Sequence, residues 1–403
     1  MVLVYDRMNT GGIETMMLRM VDWLVARSMP VVVCCLPGGD LQARVSPKAV
    51  LINYTDSGEL LTKMRQWCVV AKPAQILLMS FDSAPAARAL MLESAMSGMT
   101  VVHNVTGVFH PKSYFMPGQP ADRRWLNRKI LGAYGGRHVF FMNRESLDLH
   151  AGFMSARYDK AAVIPIPVEV QGPKWAVQPA AELRVVSVGR LVDFKAYNLG
   201  AAAIVKHCAK RGVRVLWDIY GYGPQYDLIE QAIAQEGVAD QVVLKGALEY
   251  ENLFKVIAGY DVFIGMGTSV VEAAAIGMPS LVAQVESPNR SHGYLHELPF
   301  GNIGEVIESD EPRLMADMLC EHAHWSAEQR QACANACMAA AARYSVDDFM
   351  HAVISLGCEP VPASLRLRRR CVARLSLSLL DGWVARHLLG RGLASRLKRL
   401  VRP

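Results

Sequence analysis

The sequence predicts an α/β protein made of two doubly wound, Rossmann-like units followed by further helices. Three observations predict it. Short β-branched or apolar runs alternate with helical patterns through both halves of the chain, a Pro-rich aperiodic stretch at residues 165–179 separates the halves, and the alternation restarts directly after it. With 403 residues, 52% hydrophobic and 20% charged, the chain can bury a core in each half and is not disordered.

In the first half, strands are predicted at residues 2–5, 31–36, 50–53, 76–79, 101–104 and 139–142. Helices are predicted between them at 14–26, 60–70, 85–96 and 124–133, with Pro85 in a first turn where its missing N–H costs nothing. A helix near Glu145 and a strand near Val163 complete this half. Such alternation implies right-handed crossovers and a parallel sheet covered by helices on both faces.

The second half repeats the pattern, with strands at 184–188, 213–219, 242–245 and 262–264 and helices at 199–211, 226–235, 252–258 and 269–276. Gly277 and Pro279 stop the last helix, and Leu281 and Val282 begin another strand. Helices follow at 311–323, 327–343 and 346–356. The expected organisation is an N-terminal domain over 1–170, a linker over 171–182, a second domain over 183–345, and a C-terminal helix with a basic tail over 346–403.

Ligands of doubly wound sheets bind beyond the carboxyl ends of the strands, so the loops there are the candidate sites. Gly265-Met-Gly267 turns the chain from a strand into a helix whose start carries Thr268, Ser269 and Glu272, with the carboxylate expected in its first turn. Unpaired amides and the positive end of a helix favour an anion, and a carboxylate favours ribose hydroxyls. Ser269-x-x-Glu272 also fits a capping box, and the two uses are compatible. Arg190 and Lys195 follow the first strand of the second half, where a guanidinium fork and an ammonium suit a diphosphate or are simply solvated. Gly221 and Gly223, in Tyr220-Gly-Tyr-Gly-Pro224, suit a loop under a base or near phosphates, or an ordinary turn. Gly11 and Gly12 open the first helix and let backbone approach an anion, but no G-x-G-x-x-G accompanies them, so a nicotinamide dinucleotide is not indicated.

Taken in order, the Gly-Gly loop, V-G-R-L-x-x-x-K, G-x-G-P, the L-K-G at residues 244–246 and E-A-A-A-x-G-M-P resemble the retaining glycosyltransferases of family 4, also called group 1, with the GT-B fold. The resemblance spans about residues 1–350 and is strongest over 184–285. It implies two domains facing a cleft and a nucleotide-diphosphate-sugar donor held by Arg190 and Lys195 at the diphosphate. It also implies Glu272 at the ribose, Thr268 and Ser269 at the donor sugar or phosphate, and Gly11 and Gly12 near phosphate and acceptor. Ile264 stands where the family's E-x7-E motif has its first glutamate, a departure that bears on donor identity and on activity itself. A first-domain histidine near the transferred sugar is implied as well, with His103 at an expected strand end and His110 in the loop beyond. No metal and no other cofactor are expected. A nucleotide-sugar epimerase and a non-catalytic sugar- or lipid-binding subunit are the rival readings.

The nine cysteines are an odd count without zinc-like pairing, and Cys333 and Cys337 lie one helical turn apart with no companion histidines in the sequence. A reduced, cytoplasmic chain is expected, with neither a leader nor an apolar run of spanning length. Charge is uneven: residues 360–403 hold eleven Arg or Lys against Asp381 alone, while the chain as a whole is +6. Leu389, Leu393, Leu397 and Leu400 share one helical face, with Arg391, Lys398 and Arg402 opposite, and Arg368 to Arg370 and Trp383 upstream. An anionic membrane surface on the inner face of the cell membrane is the expected partner of this tail, alongside a glycan or lipid-linked acceptor. Nucleic acid is not expected, since no nucleic-acid-binding fold accompanies the charge.

Overall fold

The computed structural model describes residues 1–110, 112–116, 118–177 and 182–380. They form two compact units: Met1–Ile166 with the chain from Phe349 onward, and Pro167–Asp348.

The first unit runs β1 (Val2–Arg7), α1 (Gly12–Ala26), β2 (Val32–Leu36), β3 (Val50–Asn53), α2 (Ser57–Ala71), β4 (Gln75–Phe81) and α3 (Ser83–Met96). It continues with β5 (Val101–Val108), α4 (Ala121–Tyr134), β6 (Val139–Phe141), α5 (Arg144–Met154) and β7 (Ala162–Val163). The sheet order is β3-β2-β1-β4-β5-β6-β7, all parallel. The order reverses between β1 and β4, which is the switch point where doubly wound sheets open a ligand crevice. Central strands bury both faces, so Val2, Leu3, Val4, Leu78 and Met79 are inaccessible.

The second unit repeats the plan with β8 (Leu183–Val188), α6 (Tyr197–Lys210), β9 (Val215–Tyr220), α7 (Tyr226–Glu236), β10 (Val242–Gly246), α8 (Leu253–Ile257), β11 (Val262–Gly265), α9 (Thr268–Ala275) and β12 (Ser280–Ala283). Then come β13 (Arg290–Tyr294), β14 (Arg313–Leu314), α10 (Met315–Ala323) and α11 (Ala327–Ala342). Its order, β10-β9-β8-β11-β12-β13-β14, reverses between β8 and β11. The last two strands pair antiparallel, β13 with β12 and β14 with β13. The sequence gives no sign of them, because Arg290-Ser-His-Gly-Tyr294 is short, polar and interrupted by glycine.

The Pro-rich stretch is not a free spacer. Trp175 is buried and donates its indole N–H to the Tyr260 carbonyl at 2.6 Å, and the backbone amides of Lys174 and Trp175 both donate to Ile276. Val168, also buried, donates its amide to Tyr344. Fixed φ angles and few donors suit a strap that runs across a packed body as well as they suit a linker.

After α12 (Val346–Gly357), α13 (Ala363–Leu380) lies on α3 and α4 of the first unit. Val372 and Ala373 join the core of Leu126, Ile130 and Tyr134. The Arg368 to Arg370 run, expected on a membrane-facing surface, is split: Arg369 is 2% exposed and points inward. It ion-pairs with Glu93 and donates to the carbonyls of Ala133 and Asn104, because a buried guanidinium needs an acceptor for each donor. The amphipathic face at 389–402, with Trp383, lies outside the described residues. No described helix is long and apolar enough to cross a membrane.

Candidate functional site

Two loops of the second unit flank its switch point. The first follows β8 and carries Arg190 and Lys195. Arg190 is exposed, while Lys195 closes a short 3-10 turn, Asp193–Lys195, and is partly buried. Its Nζ reaches back over the strand end, 2.8 Å from where a Cβ on Gly189 would sit. Among the described residues neither cation has a carboxylate partner. Burial, helped by the Arg190 charge, pushes the Lys195 ammonium down to about 8. A desolvated ammonium beside a guanidinium is a local excess of positive charge, and an anion would relieve it.

The second loop follows β11. Gly267, at φ +76°, is the N-cap of α9, and no side chain caps that helix. The capping box anticipated from Ser269 and Glu272 does not form. Helix α9 starts one residue earlier than expected, so Ser269 lies inside it and its hydroxyl donates to Met266. Glu272 consequently falls beyond the first turn, where it is 4% exposed and accepts from the Tyr250 hydroxyl at 3.2 Å. Thr268 and Ser269, both partly accessible, stand at the uncapped amide end. Ile264 is fully buried within β11, so no carboxylate occupies that strand position.

Gly221 and Gly223 have a visible structural task. A Cβ on Gly221, at φ +151°, would overlap the Gly189 carbonyl oxygen, and one on Gly223 would overlap that of Leu191. The close approach lets Gly189 and Leu191 donate their amides to Tyr220 and Tyr222, each at 3.0 Å. The glycines thus fix the loop that presents Arg190. Tyr222 is exposed and stacks on Tyr226, ring centroids 5.7 Å apart.

In the first unit, Gly11 is the N-cap of α1. The Glu14 carboxylate folds back to contact the space a Cβ on Gly11 would need. A phosphate expected at this helix start would therefore meet a carboxylate beside the amides. Gly12 is open, with nothing near its missing side chain.

His103 is not at a strand end. Strand β5 continues to Val108, so His103 pairs with Leu77 near the beginning of the strand. At about 3.3 Å per residue it lies some 16 Å from the carboxyl edge. The run Asn104-Val-Thr-Gly-Val108 extends the strand because its polar members are satisfied inside: Asn104 binds Glu93, and the Thr106 hydroxyl donates to Ser80. His110 is the histidine that follows the carboxyl end. Burial and Lys112 lower its pKa, and its Nδ1 accepts the Lys112 amide at 3.1 Å.

Asp82, which sequence reasoning passed over, sits directly after β4 at the first unit's switch point. Its φ of +62° with ψ of −177° is a conformation normally reserved for glycine. Its Oδ1 is buried with no hydrogen-bond partner among the described residues. Burial raises its carboxyl to about 7, Ser113 and the Phe109 amide oppose this, and Asp6 and Glu14 add to it. Only the structure reveals the strain, since Phe81-Asp82-Ser83 reads as a common helix start.

The two sheets and their switch points define a two-domain, Rossmann-like α/β architecture of the GT-B class. Residues 176–292 match the family model described as glycosyl transferases group 1. A glycosyltransferase from Rickettsia africae ESF-5 superposes with TM-score 0.62 at 12% identity, covering 88% of this chain and 97% of that one. The lipopolysaccharide outer core galactosyltransferase WaaB, in its apo form, gives 0.56 at 14% identity, covering 88% and 99%. A variant of S. aureus TarM, in complex with Fondaparinux, alpha-GlcNAc-glycerol and UDP, gives 0.56 at 11% identity, covering 89% and 99%. No curated protein matches by sequence at a significant level. At such identities the superpositions establish the fold, and the chain is similar to these enzymes in that respect.

Proposed function

We propose that this protein is a retaining glycosyltransferase of the family 4 type, taking a sugar from a nucleotide-diphosphate donor to a glycan or lipid-linked glycan acceptor. The observation that carries the reading is the pair Arg190 and Lys195, cationic and without a carboxylate partner among the described residues, at the switch point that also holds the uncapped start of α9. In transfer, the bond from the anomeric carbon to the diphosphate oxygen breaks, an acceptor hydroxyl oxygen bonds that carbon on the same face and gives up its proton, and negative charge grows on the leaving diphosphate. Arg190, Lys195 and the α9 amides stabilise that charge, and Glu272, oriented by Tyr250, binds the ribose. His110, rather than His103, is the first-unit histidine suited to the transferred sugar. The match of residues 176–292 to group 1 glycosyl transferases supports this reading. UDP and alpha-GlcNAc-glycerol in the TarM complex, and WaaB as a lipopolysaccharide outer core galactosyltransferase, favour a nucleotide sugar and a surface-glycan acceptor. We infer a cytoplasmic enzyme, peripheral to the inner face of the membrane, with the basic tail over residues 360–403 as the contact and Arg369 withdrawn from it.

Ile264 favours a second reading, a subunit that binds a nucleotide sugar without turnover. The first experiment measures thermal stabilisation by UDP, GDP, ADP, CMP and their sugar conjugates, with Arg190→Ala as control. One nucleotide series that stabilises the parent and not the variant supports the donor site. No response from folded protein, or an equal response from Arg190→Ala, refutes it.

A further inference from the structure

The second unit brings together three soft ligand groups that are far apart in sequence. Cys333 and Cys337 stand four residues apart on one face of α11, and His296 reaches them from a 3-10 turn, Leu295–Glu297, that follows β13. The sequence shows no histidine companion for these cysteines; the fold supplies one. The two sulfurs and a ring nitrogen all lie within 4.8 Å of one another, and His296 Nδ1 is 3.4 Å from the Cys337 sulfur. Both cysteines are free thiols, 7% and 0% exposed, whereas His296 is at the surface.

These spacings suit a metal better than a random contact. With zinc bonds of about 2.3 Å to sulfur and 2.0–2.1 Å to nitrogen, tetrahedral ligands sit about 3.5–3.8 Å from one another. The observed separations need adjustments of about an ångström or less to close on such a centre. Of the three groups, His296 Nδ1 and the Cys337 sulfur already face each other at a ligand-to-ligand distance. Thiolate and imidazole together select a soft or borderline cation over magnesium or calcium.

We propose that Cys333, Cys337 and His296 form a zinc(II) site, with the fourth position open to water at the His296 edge. Binding releases the thiol protons to solvent and leaves two thiolates on the metal. The site joins the turn after β13 to α11, and α11 packs on α9, the helix that carries Glu272. The metal is a brace behind the proposed donor helix and takes no part in transfer, so the proposal stands whether or not the protein transfers sugar.

The test uses the full chain with the two exposed cysteines, Cys358 and Cys371, changed to serine so that they cannot bind metal. Cobalt(II) is the spectroscopic probe. The expected result is a thiolate-to-cobalt charge-transfer band that saturates at one equivalent and is displaced by zinc. Cys333→Ser and Cys337→Ser abolish the band, and His296→Ala weakens binding at least tenfold. Zinc raises the unfolding temperature of the parent and leaves that of Cys337→Ser unchanged. Should a serine variant fail to fold, the zinc retained by the folded parent after gel filtration, against that retained by His296→Ala, decides. No band and no retained zinc overturns the proposal, as does a band that persists without both cysteines.

Discussion

In Lys195 a cost to stability and a proposed role at a diphosphate share one side chain, and Lys195→Met separates them. Its ammonium is pushed from 10.5 to about 8 by burial and Arg190. At about 1.4 kcal/mol per pKa unit, that gap corresponds to roughly 3 kcal/mol held against the folded state at neutral pH. The side chain is only partly buried, and solvent screening trims the cost to about 1–2 kcal/mol. Between about pH 8 and 10.5 the unfolded chain keeps the proton while the folded chain has released it. The unfolded state then binds more protons, so parent stability rises with pH through that window. Lys195→Met should therefore be more stable than the parent by about 1–2 kcal/mol at pH 7, with the gain shrinking toward pH 10.5. The same variant should bind a nucleoside diphosphate roughly ten- to hundredfold more weakly, the value of one hydrogen bond to a charged group. Urea unfolding at pH 7 and 10, with a diphosphate titration at pH 7, measures both. A variant less stable than the parent at pH 7, or a gain that does not change with pH, refutes the reasoning.

Three further outcomes are expected. Arg369→Ala leaves the half-buried Glu93 carboxylate with Asn104 but without its cation and should cost about 3 kcal/mol in urea unfolding, with the double variant Glu93→Gln, Arg369→Met recovering most of the loss. Gly221→Ala forces the loop after β9 away from Gly189 and should cost about 1–3 kcal/mol, with a smaller thermal shift from nucleotide because Arg190 moves too. Asp82 has a folded pKa raised to about 7, so the stability it contributes in acid is lost as pH rises toward neutrality. Asp82→Asn lacks this loss, and its stability relative to the parent should climb between pH 4 and pH 7, read from urea midpoints across that range.

The alternation of strands and helices was legible because buried parallel strands are continuous apolar runs, and the loops after β8, β9 and β11 were legible because glycine and charge mark them. What escaped was long-range. Strand β5 runs past Asn104 and Thr106, which look like a strand end until their buried partners Glu93 and Ser80 are known. Ser269 and Glu272 fit a cap by spacing, yet Gly267 takes the cap because its positive φ starts the helix one residue earlier. Arg369 reads as part of a solvated basic run, and only the packing of α13 turns it inward. His296 lies some forty residues from its two cysteines, a separation that no local motif spans.

The first unit is assembled from both ends of the chain, whereas Pro167–Asp348 is continuous. On a ribosome this reverses the usual N-to-C order of completion. The middle of the chain can close its own core once residue 348 has emerged, while the sheet begun at Val2 waits for α13 to cover α3 and α4. During that interval the faces around Leu126, Ile130 and Tyr134 lack part of their cover. Nascent chains halted before residue 363 should hold a protease-resistant centre between protease-sensitive flanks, and the earliest-made segment should be the last to mature.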